Sequence, residues 1–262
     1  MKILIISCST GGGHNACAKY ILEELKNNNI EAEFKDFYDI VNKKAKKLSE
    51  KLYLSTLNGN GKIFKVVYKL GELYSKTKLK SPVYSVNKLH KKKLYNYIIQ
   101  NKIDLVITSH IFPALTLTAI KKVPFLLVAT DYTACPFMEE ANPNYYVIQN
   151  GIEKDFINKG IDEKKLLKTG IPVSSNFIKN AKNIRYNLNI DKEKTILIML
   201  GSMGFGNINK IVNNLLEIDN TKIIIVTGSN KELYNKLKKI KNKKLITLGY
   251  VHNMNDLIYS SD

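Results

Sequence analysis

The sequence predicts an α/β fold of two Rossmann-like, doubly wound domains, and three observations support this prediction. Short, nearly continuous apolar runs, typical of strands buried on both faces of a parallel sheet, alternate with stretches in which apolar residues recur at helical spacing. Two of these runs lead into glycine-rich turns, at residues 9–14 and 201–206. Residues 169–173 interrupt the alternation. We therefore expect domains at 1–172 and 173–262 that face each other across a cleft.

The composition indicates a globular protein of the cytoplasm. Of the 262 residues, 44% are hydrophobic. No run approaches the roughly 18 to 20 apolar residues that span a bilayer. Met1 and Lys2 lead directly into the first strand, which leaves no space for a signal peptide. The three cysteines, Cys8, Cys17 and Cys135, lack both the even number of a disulfide framework and metal-ligand spacing, so we expect reduced thiols and no metal site.

The formal net charge of +18 is concentrated in residues 41–102, which contain 16 lysines and only two acidic residues, Glu50 and Glu72. Apolar residues recur there at helical spacing, interleaved with lysines and with Tyr68, Tyr74, Tyr84 and Tyr97. Such helices suit an anionic membrane surface, and core-facing helices with a basic outer face explain the pattern equally well. We expect no nucleic-acid partner, because the region contains no recognised nucleic-acid-binding module.

The first apolar run ends in a strand-to-helix turn that contains Gly11, Gly12, Gly13, His14 and Asn15. Glycines permit positive φ and a close approach of the backbone to a ligand, and the free N–H groups of a helix start favour negative charge. His14 is then predicted at the carboxyl edge of the sheet, where open α/β folds bind their ligands. Close packing between strand and helix is the alternative explanation of the glycines.

Polar residues also follow two later predicted strands. Ser109 and His110 follow the run 105–108, and Thr130 and Asp131 follow the run 125–128. Because parallel strands end at the same edge of a sheet, these residues are predicted near His14. We interpret His110 as a loop residue and Asp131 as the better candidate for a functional role.

The second glycine-rich turn follows the apolar run 195–200 and precedes another predicted helix. Its GxxGxG spacing differs from the GxGxxG of dinucleotide-binding folds, and no acidic residue closes a strand about 20 residues later. This argues against a nicotinamide cofactor. A nucleotide diphosphate at the helix start fits the turn.

Four segments, in this order along the chain, together resemble one family: residues 9–14, 130–132, 170–173 and 201–204. This is the monogalactosyldiacylglycerol synthase and processive diacylglycerol glucosyltransferase family, related to the transferase that adds N-acetylglucosamine to the lipid-linked peptidoglycan precursor. The resemblance spans essentially the whole chain. It implies a GT-B fold with the acceptor mainly on the first domain, a UDP-sugar mainly on the second, and inverting chemistry without a metal or other cofactor.

The resemblance also implies roles for individual residues. His14 is the candidate base for the acceptor hydroxyl, and Asp131 orients His14 or the acceptor. The acceptor side further includes the turn residues Gly11, Gly12, Gly13 and Asn15, together with Tyr132. Backbone N–H groups of Gly201, Ser202, Met203 and Gly204 hold the donor diphosphate. Tyr250 either stacks on the uracil base or packs as an ordinary aromatic residue.

The expected function is transfer of a hexose from a UDP-sugar to a diacylglycerol-type lipid at the cytoplasmic membrane face. Transfer of N-acetylglucosamine to a lipid-linked acceptor is the alternative within enzymes. A Gly-Gly-rich segment with a ribose-binding Glu follows in the family but is not found before Asp262. We therefore expect either a fragment with an incomplete second domain or a truncated, catalytically silent relative that binds membrane or nucleotide.

Overall fold

The computed structural model describes residues 1–8, 12–46, 62–75, 77, 79–200 and 208–262. For residues 62–65, 67, 176, 178 and 209 the structure describes the backbone alone. The chain divides into two compact units, Met1–Val173 and Ser174–Asp262. The helical spacing of Leu48, Leu52 and Tyr53 predicts a further helix, which lies outside the described residues.

The first unit contains a six-stranded parallel sheet in the order β2-β1-β3-β4-β5-β6. The strands are β1 (Lys2–Ser7), β2 (Glu31–Asp36), β3 (Leu105–Thr108), β4 (Phe125–Val128), β5 (Tyr145–Ile148) and β6 (Leu166–Lys168). The helices are α1 (Gly12–Asn27), α2 (Phe37–Val41), α3 (Lys62–Ser75), α4 (Pro82–Lys88), α5 (Lys91–Gln100), α6 (Ile111–Ile120) and α7 (Glu153–Asn158). Short 3-10 turns lie at Met138–Glu140 and Glu163–Lys165.

Apolar side chains of β1 alternate between the two faces of this sheet, as strand geometry requires. Leu4 and Ile6 pack into a large core that includes side chains of α2, α5 and α6. Ile3 and Ile5 pack into a smaller core that includes Ala18 of α1. Both faces of the sheet are therefore covered, which explains why the strand is apolar at almost every position.

The second unit has a three-stranded parallel sheet in the order β7-β8-β9. Its strands are β7 (Lys194–Met199), β8 (Thr221–Val226) and β9 (Leu245–Leu248), and its helices are α8 (Asn176–Lys179), α9 (Ile208–Leu216), α10 (Lys231–Lys238) and α11 (Met254–Tyr259). Ile223 and Ile225 of β8 pack with α9 and α10, whereas Ile224 and Val226 pack with α11. Each unit is thus doubly wound, as the sequence predicts.

One helix that the sequence predicts is broken in the structure. Apolar residues at Phe177, Ile178, Ile184 and Leu188 predict a polar helix that begins at Ser174, but the chain forms only α8 and a 3-10 turn at Tyr186–Leu188. Between them the backbone N–H of Lys182 donates to Asp256 and that of Ile184 donates to Ser260. Hydrogen bonds to α11 thus take the place of the helical ladder.

The strand register fixes where the functional side chains emerge. Ile6 of β1 lies beside Thr108 of β3, and Thr108 lies beside Leu127 of β4. The residues that follow these three neighbouring strands therefore leave the sheet at the same edge. This edge is where His14, Ser109 and Thr130 meet.

Candidate active site

His14 is the third residue of α1, the helix that follows β1 along the chain. It is half-buried, whereas Gly12 and Gly13 before it are exposed. Gly13 has helical backbone, not the positive φ that the sequence suggested, and a Cβ atom placed on it would meet no atom within 4 Å apart from its chain neighbours and the backbone of its own helix. The position directly before His14 therefore has open space for a larger residue.

Two oxygen atoms from neighbouring strand ends contact the same ring nitrogen of His14. Nδ1 lies 2.7 Å from the main-chain oxygen of Ser109 and 2.9 Å from Oγ1 of Thr130. In addition, Oγ of Ser109 donates to the main-chain oxygen of His14 at 2.9 Å. The ring is thus attached to the ends of β3 and β4 as well as to its own helix.

These contacts identify the tautomer of His14. A main-chain carbonyl oxygen only accepts hydrogen bonds, so the proton of a neutral imidazole must lie on Nδ1 to satisfy the contact with Ser109. We therefore assign the proton to Nδ1 and an unprotonated lone pair to Nε2. A histidine held in this way presents Nε2 as a base.

His110 packs beside this imidazole, with ring centroids 4.8 Å apart in an edge-to-face arrangement. It is buried, and its Nδ1 accepts from the backbone N–H of Phe112 at 3.2 Å, so it caps the N-terminus of α6. Burial, followed by the proximity of His14, holds the pKa of His110 well below 6.5. His110 is thus a neutral helix cap in the connection between β3 and α6, and its ring packs against that of His14.

Asp131 is exposed, and its Oδ2 accepts from the thiol of Cys135 at 3.0 Å. The preceding residue, Thr130, is the one that contacts His14. Burial, together with the negative charge of Asp131, raises the pKa of Cys135 to about 12, so this thiol stays protonated. The proposed role of Asp131 toward His14 or the acceptor stays a prediction.

The other predicted site residues are distributed over both units. Asn15 is half-buried on α1, and Tyr132 is 79% exposed beyond β4. Tyr250 of the second unit is 64% exposed, and its ring contacts that of His252 edge to face at 5.1 Å. The predicted residues outside the described part of the chain are Gly11, Gly201, Ser202, Met203 and Gly204.

Helix α3 presents an apolar stripe near the strand-exit segment 131–137. Val66, Leu70 and Leu73 recur at helical spacing, and each is between 55% and 60% exposed. The opposite side of the helix packs closely against that segment. Gly71 is buried there, since a Cβ on it would lie 3.1 Å from Cβ of Pro136, and the backbone N–H of Phe137 donates to Ser75.

Comparisons of sequence identify relatives of this chain. Residues 14–173 match the family model described as monogalactosyldiacylglycerol (MGDG) synthase. The processive diacylglycerol beta-glucosyltransferase of Staphylococcus aureus strain bovine RF122 / ET3-1 is 30% identical over 275 aligned residues, which cover 99% of this chain and 68% of the relative. The same named protein of strain MRSA252 matches at the same identity and coverage.

Solved structures show the same fold at low sequence identity. A glycosyltransferase from Rickettsia africae superposes with a TM-score of 0.57 at 16% identity, covering 100% of this chain and 71% of that one. MurG from Acinetobacter baumannii gives a TM-score of 0.52 at 12% identity, covering 99% and 71%. The UDP co-structure of MnaA from S. aureus gives 0.54 at 15%, covering 98% and 71%. The GT-B fold class that the sequence predicts is confirmed.

Proposed function

The chain belongs to the monogalactosyldiacylglycerol synthase family, and from this membership we propose that it moves a hexose from a UDP-sugar to a diacylglycerol-type lipid at the cytoplasmic membrane face. The observation that carries the proposal is the imidazole of His14, whose Nδ1 is held by two oxygen atoms so that Nε2 is the basic nitrogen. The name of the S. aureus relative supports glucose and diacylglycerol as the substrate pair.

In the proposed reaction, Nε2 of His14 accepts the proton of the acceptor hydroxyl. The hydroxyl oxygen forms a bond to the anomeric carbon from the side opposite UDP, and the bond from that carbon to the diphosphate oxygen breaks with its electron pair. The product therefore has the inverted anomeric configuration. A positioned general base of this kind contributes about 10²- to 10⁴-fold to the rate.

The donor side of the proposal depends on the second unit. Negative charge develops on the departing diphosphate, and backbone N–H groups ahead of a helix stabilise such charge. We assign this role to Gly201, Ser202, Met203 and Gly204, ahead of α9, and we assign stacking on uracil to Tyr250. The exposure of the Tyr250 ring leaves a face accessible to a base.

We place the membrane contact on α3. Within the part of the chain that the structure describes, no helix combines the length and the apolar character needed to cross a bilayer. An exposed stripe of Val66, Leu70 and Leu73, with the exposed Lys69 on the same helix, suits insertion into the interface of an anionic membrane. Because α3 packs on residues 136–137, this contact would bring the strand-exit edge near the lipid surface.

The test is transfer of radiolabelled sugar to vesicles that contain diacylglycerol and an anionic phospholipid, with UDP-glucose, UDP-galactose and UDP-N-acetylglucosamine compared as donors. The proposal predicts a glycolipid product from a UDP-hexose, with the β configuration at the new linkage when the donor is UDP-α-glucose. Activity with UDP-N-acetylglucosamine and a polyprenyl-linked acceptor only would favour the alternative reaction. No product from any donor would identify a catalytically silent relative.

A further inference from the structure

We propose that Thr130 is a positioning residue for His14: its hydroxyl accepts from Nδ1–H together with the main-chain oxygen of Ser109 and so fixes the orientation of the ring. The kinetic consequence of this inference rests on the proposed function, whereas its structural consequence does not. Thr130 follows β4, and neither the family match nor the relatives assign it a role.

Two hydrogen-bond contacts and the chain itself connect the ring to three neighbouring strands. His14 follows β1, Ser109 follows β3 and Thr130 follows β4, and both oxygen contacts converge on Nδ1. One of these oxygen atoms belongs to the main chain and is present whatever residue occupies position 109. The hydroxyl of Thr130 is therefore the Nδ1 partner that a side-chain substitution removes.

The position of this hydroxyl is itself well fixed. The backbone N–H of Ala129 donates to the oxygen of Val147 at 2.9 Å, and the oxygen of Ala129 accepts from Nε2 of Gln149 at 3.3 Å. Gln149 is 5% exposed. A threonine side chain is also restricted at χ1 by its branched Cβ. The chain immediately before Thr130 is thus held on both sides, which gives the hydroxyl a defined location against the imidazole.

The two oxygen atoms bind the protonated ring more strongly than the neutral ring. When Nε2 accepts a proton, the positive charge spreads over the imidazolium, and the hydrogen bonds from Nδ1–H become charge-assisted. An interaction that strengthens as the proton is transferred lowers the barrier to that step without tightening substrate binding. Removal of the Thr130 hydroxyl is therefore expected to lower kcat and leave KM for both substrates nearly unchanged.

The experiment compares Thr130→Val, which removes the hydroxyl at nearly constant shape, with Thr130→Ser, which retains it. Thr118→Val is the matched control, because Thr118 lies on α6, away from the ring of His14. Its Oγ1 donates to the main-chain oxygen of Ala114 and accepts from the backbone N–H of Asn142. We expect T130V to lose about two- to tenfold in kcat, the difference in strength between a charge-assisted and a neutral hydrogen bond. T130S should recover most of that loss, and T118V should transfer sugar like the unsubstituted protein.

A second readout does not require turnover. Long-range ¹⁵N–¹H spectra at about pH 8, where an ordinary histidine is neutral, distinguish a protonated from an unprotonated ring nitrogen. The His14 signals, identified by their loss in His14→Ala, should show protonated Nδ1 and unprotonated Nε2 in the unsubstituted protein and in T130S. T130V should keep this tautomer, because the main-chain oxygen of Ser109 still accepts from Nδ1–H, but its His14 signals should broaden or split as the ring takes more than one orientation.

The two readouts separate this inference from the proposed function. If the His14 signals of T130V are as sharp and single as those of the unsubstituted protein, Thr130 does not fix the ring and the inference is wrong. If they broaden or split as expected while no variant transfers sugar, the positioning role stands and the proposed function fails. Equal losses of kcat in T130V and T130S would also overturn the inference, because the hydroxyl would then be irrelevant.

Discussion

Ser109 and His14 are joined by a reciprocal pair of hydrogen bonds. The side-chain hydroxyl of Ser109 donates to the main-chain oxygen of His14 at 2.9 Å, and the imidazole of His14 contacts the main-chain oxygen of Ser109 at 2.7 Å. The two residues are 95 positions apart in the chain. The pair therefore attaches the start of α1 to the end of β3 and orients the imidazole in the same interaction.

Ser109→Ala removes the hydroxyl half of this pair. Ser109 is 2% exposed, so the main-chain oxygen of His14 loses a buried partner. We expect the free energy of unfolding to fall by about 0.5 to 1.5 kcal/mol and sugar transfer to fall with it. Chemical denaturation measures the first effect. Ser85→Ala, which removes a hydroxyl bonded to the oxygen of Ser81 within α4, is the control and should leave transfer unchanged.

Gly13→Ala tests whether the acceptor occupies the open space at Gly13, the residue directly before His14. An added Cβ meets no atom within 4 Å apart from its chain neighbours and the backbone of its own helix, and alanine favours helix over glycine by up to about 1 kcal/mol, so stability should hold or rise. If the acceptor hydroxyl approaches Nε2 through this space, KM for diacylglycerol should rise severalfold. Steady-state kinetics with varied acceptor measure this, and an unchanged KM would place the acceptor elsewhere.

The apolar stripe on α3 predicts how the protein binds vesicles. Leu70→Gln combined with Leu73→Gln should weaken sedimentation with anionic vesicles by about tenfold or more, since burial of one leucine side chain is worth roughly 1.5 to 3 kcal/mol. Ile157→Gln, which changes an apolar residue that is 40% exposed on α7, is the matched control. Equal weakening by both changes would argue against a docking surface on α3.

The neutral, buried His110 predicts a pH dependence of stability. Its pKa is lowered in the folded state, so below an unfolded-state pKa of 6.5 the unfolded chain binds the proton that the folded chain excludes. Stability is therefore full above about pH 6.5 and falls as the pH drops toward the folded-state pKa, with a slope of up to about 1.4 kcal/mol per pH unit. His110→Asn retains a capping acceptor but cannot titrate.

Denaturation of both proteins between pH 5 and pH 8 measures this effect. The unsubstituted protein should lose stability faster than H110N as the pH falls below about 6.5. His90, whose pKa is lowered by burial and by Lys93, is present in both proteins and contributes equally. Parallel curves would mean that His110 is protonated as readily in the folded protein as in the unfolded chain.

The strands and the location of the site could be predicted from the sequence because their signals are local. Runs such as Ile3 to Ile6 are apolar at every position, and a strand covered on both faces requires that pattern. Parallel strands end at a common edge, which places polar exit residues together. The three-residue β6 was missed, since only Leu166 among its residues is buried.

The contacts of His14 could not be predicted, because they depend on geometry between distant segments. The sequence indicates polar residues after β3 and β4. It does not indicate that the main-chain oxygen of Ser109 and the hydroxyl of Thr130 contact Nδ1 of His14. Nor does it indicate that the carboxylate of Asp131 accepts from the thiol of Cys135. An acidic residue was the natural partner to expect for a histidine. The sequence feature that indicates the role of Thr130 is its position directly before Asp131, at the end of the same strand.

The central claim is that His14 is the base for sugar transfer, and the most direct measurement is single-turnover transfer from UDP-sugar to diacylglycerol by the unsubstituted protein and by His14→Ala. His90→Ala, which changes the half-buried histidine directly before α5, is the control. The account predicts that H14A folds, as judged by its denaturation curve, and transfers sugar about 10²- to 10⁴-fold more slowly, while H90A retains the rate of the unsubstituted protein within a few fold. Full transfer by H14A would contradict it.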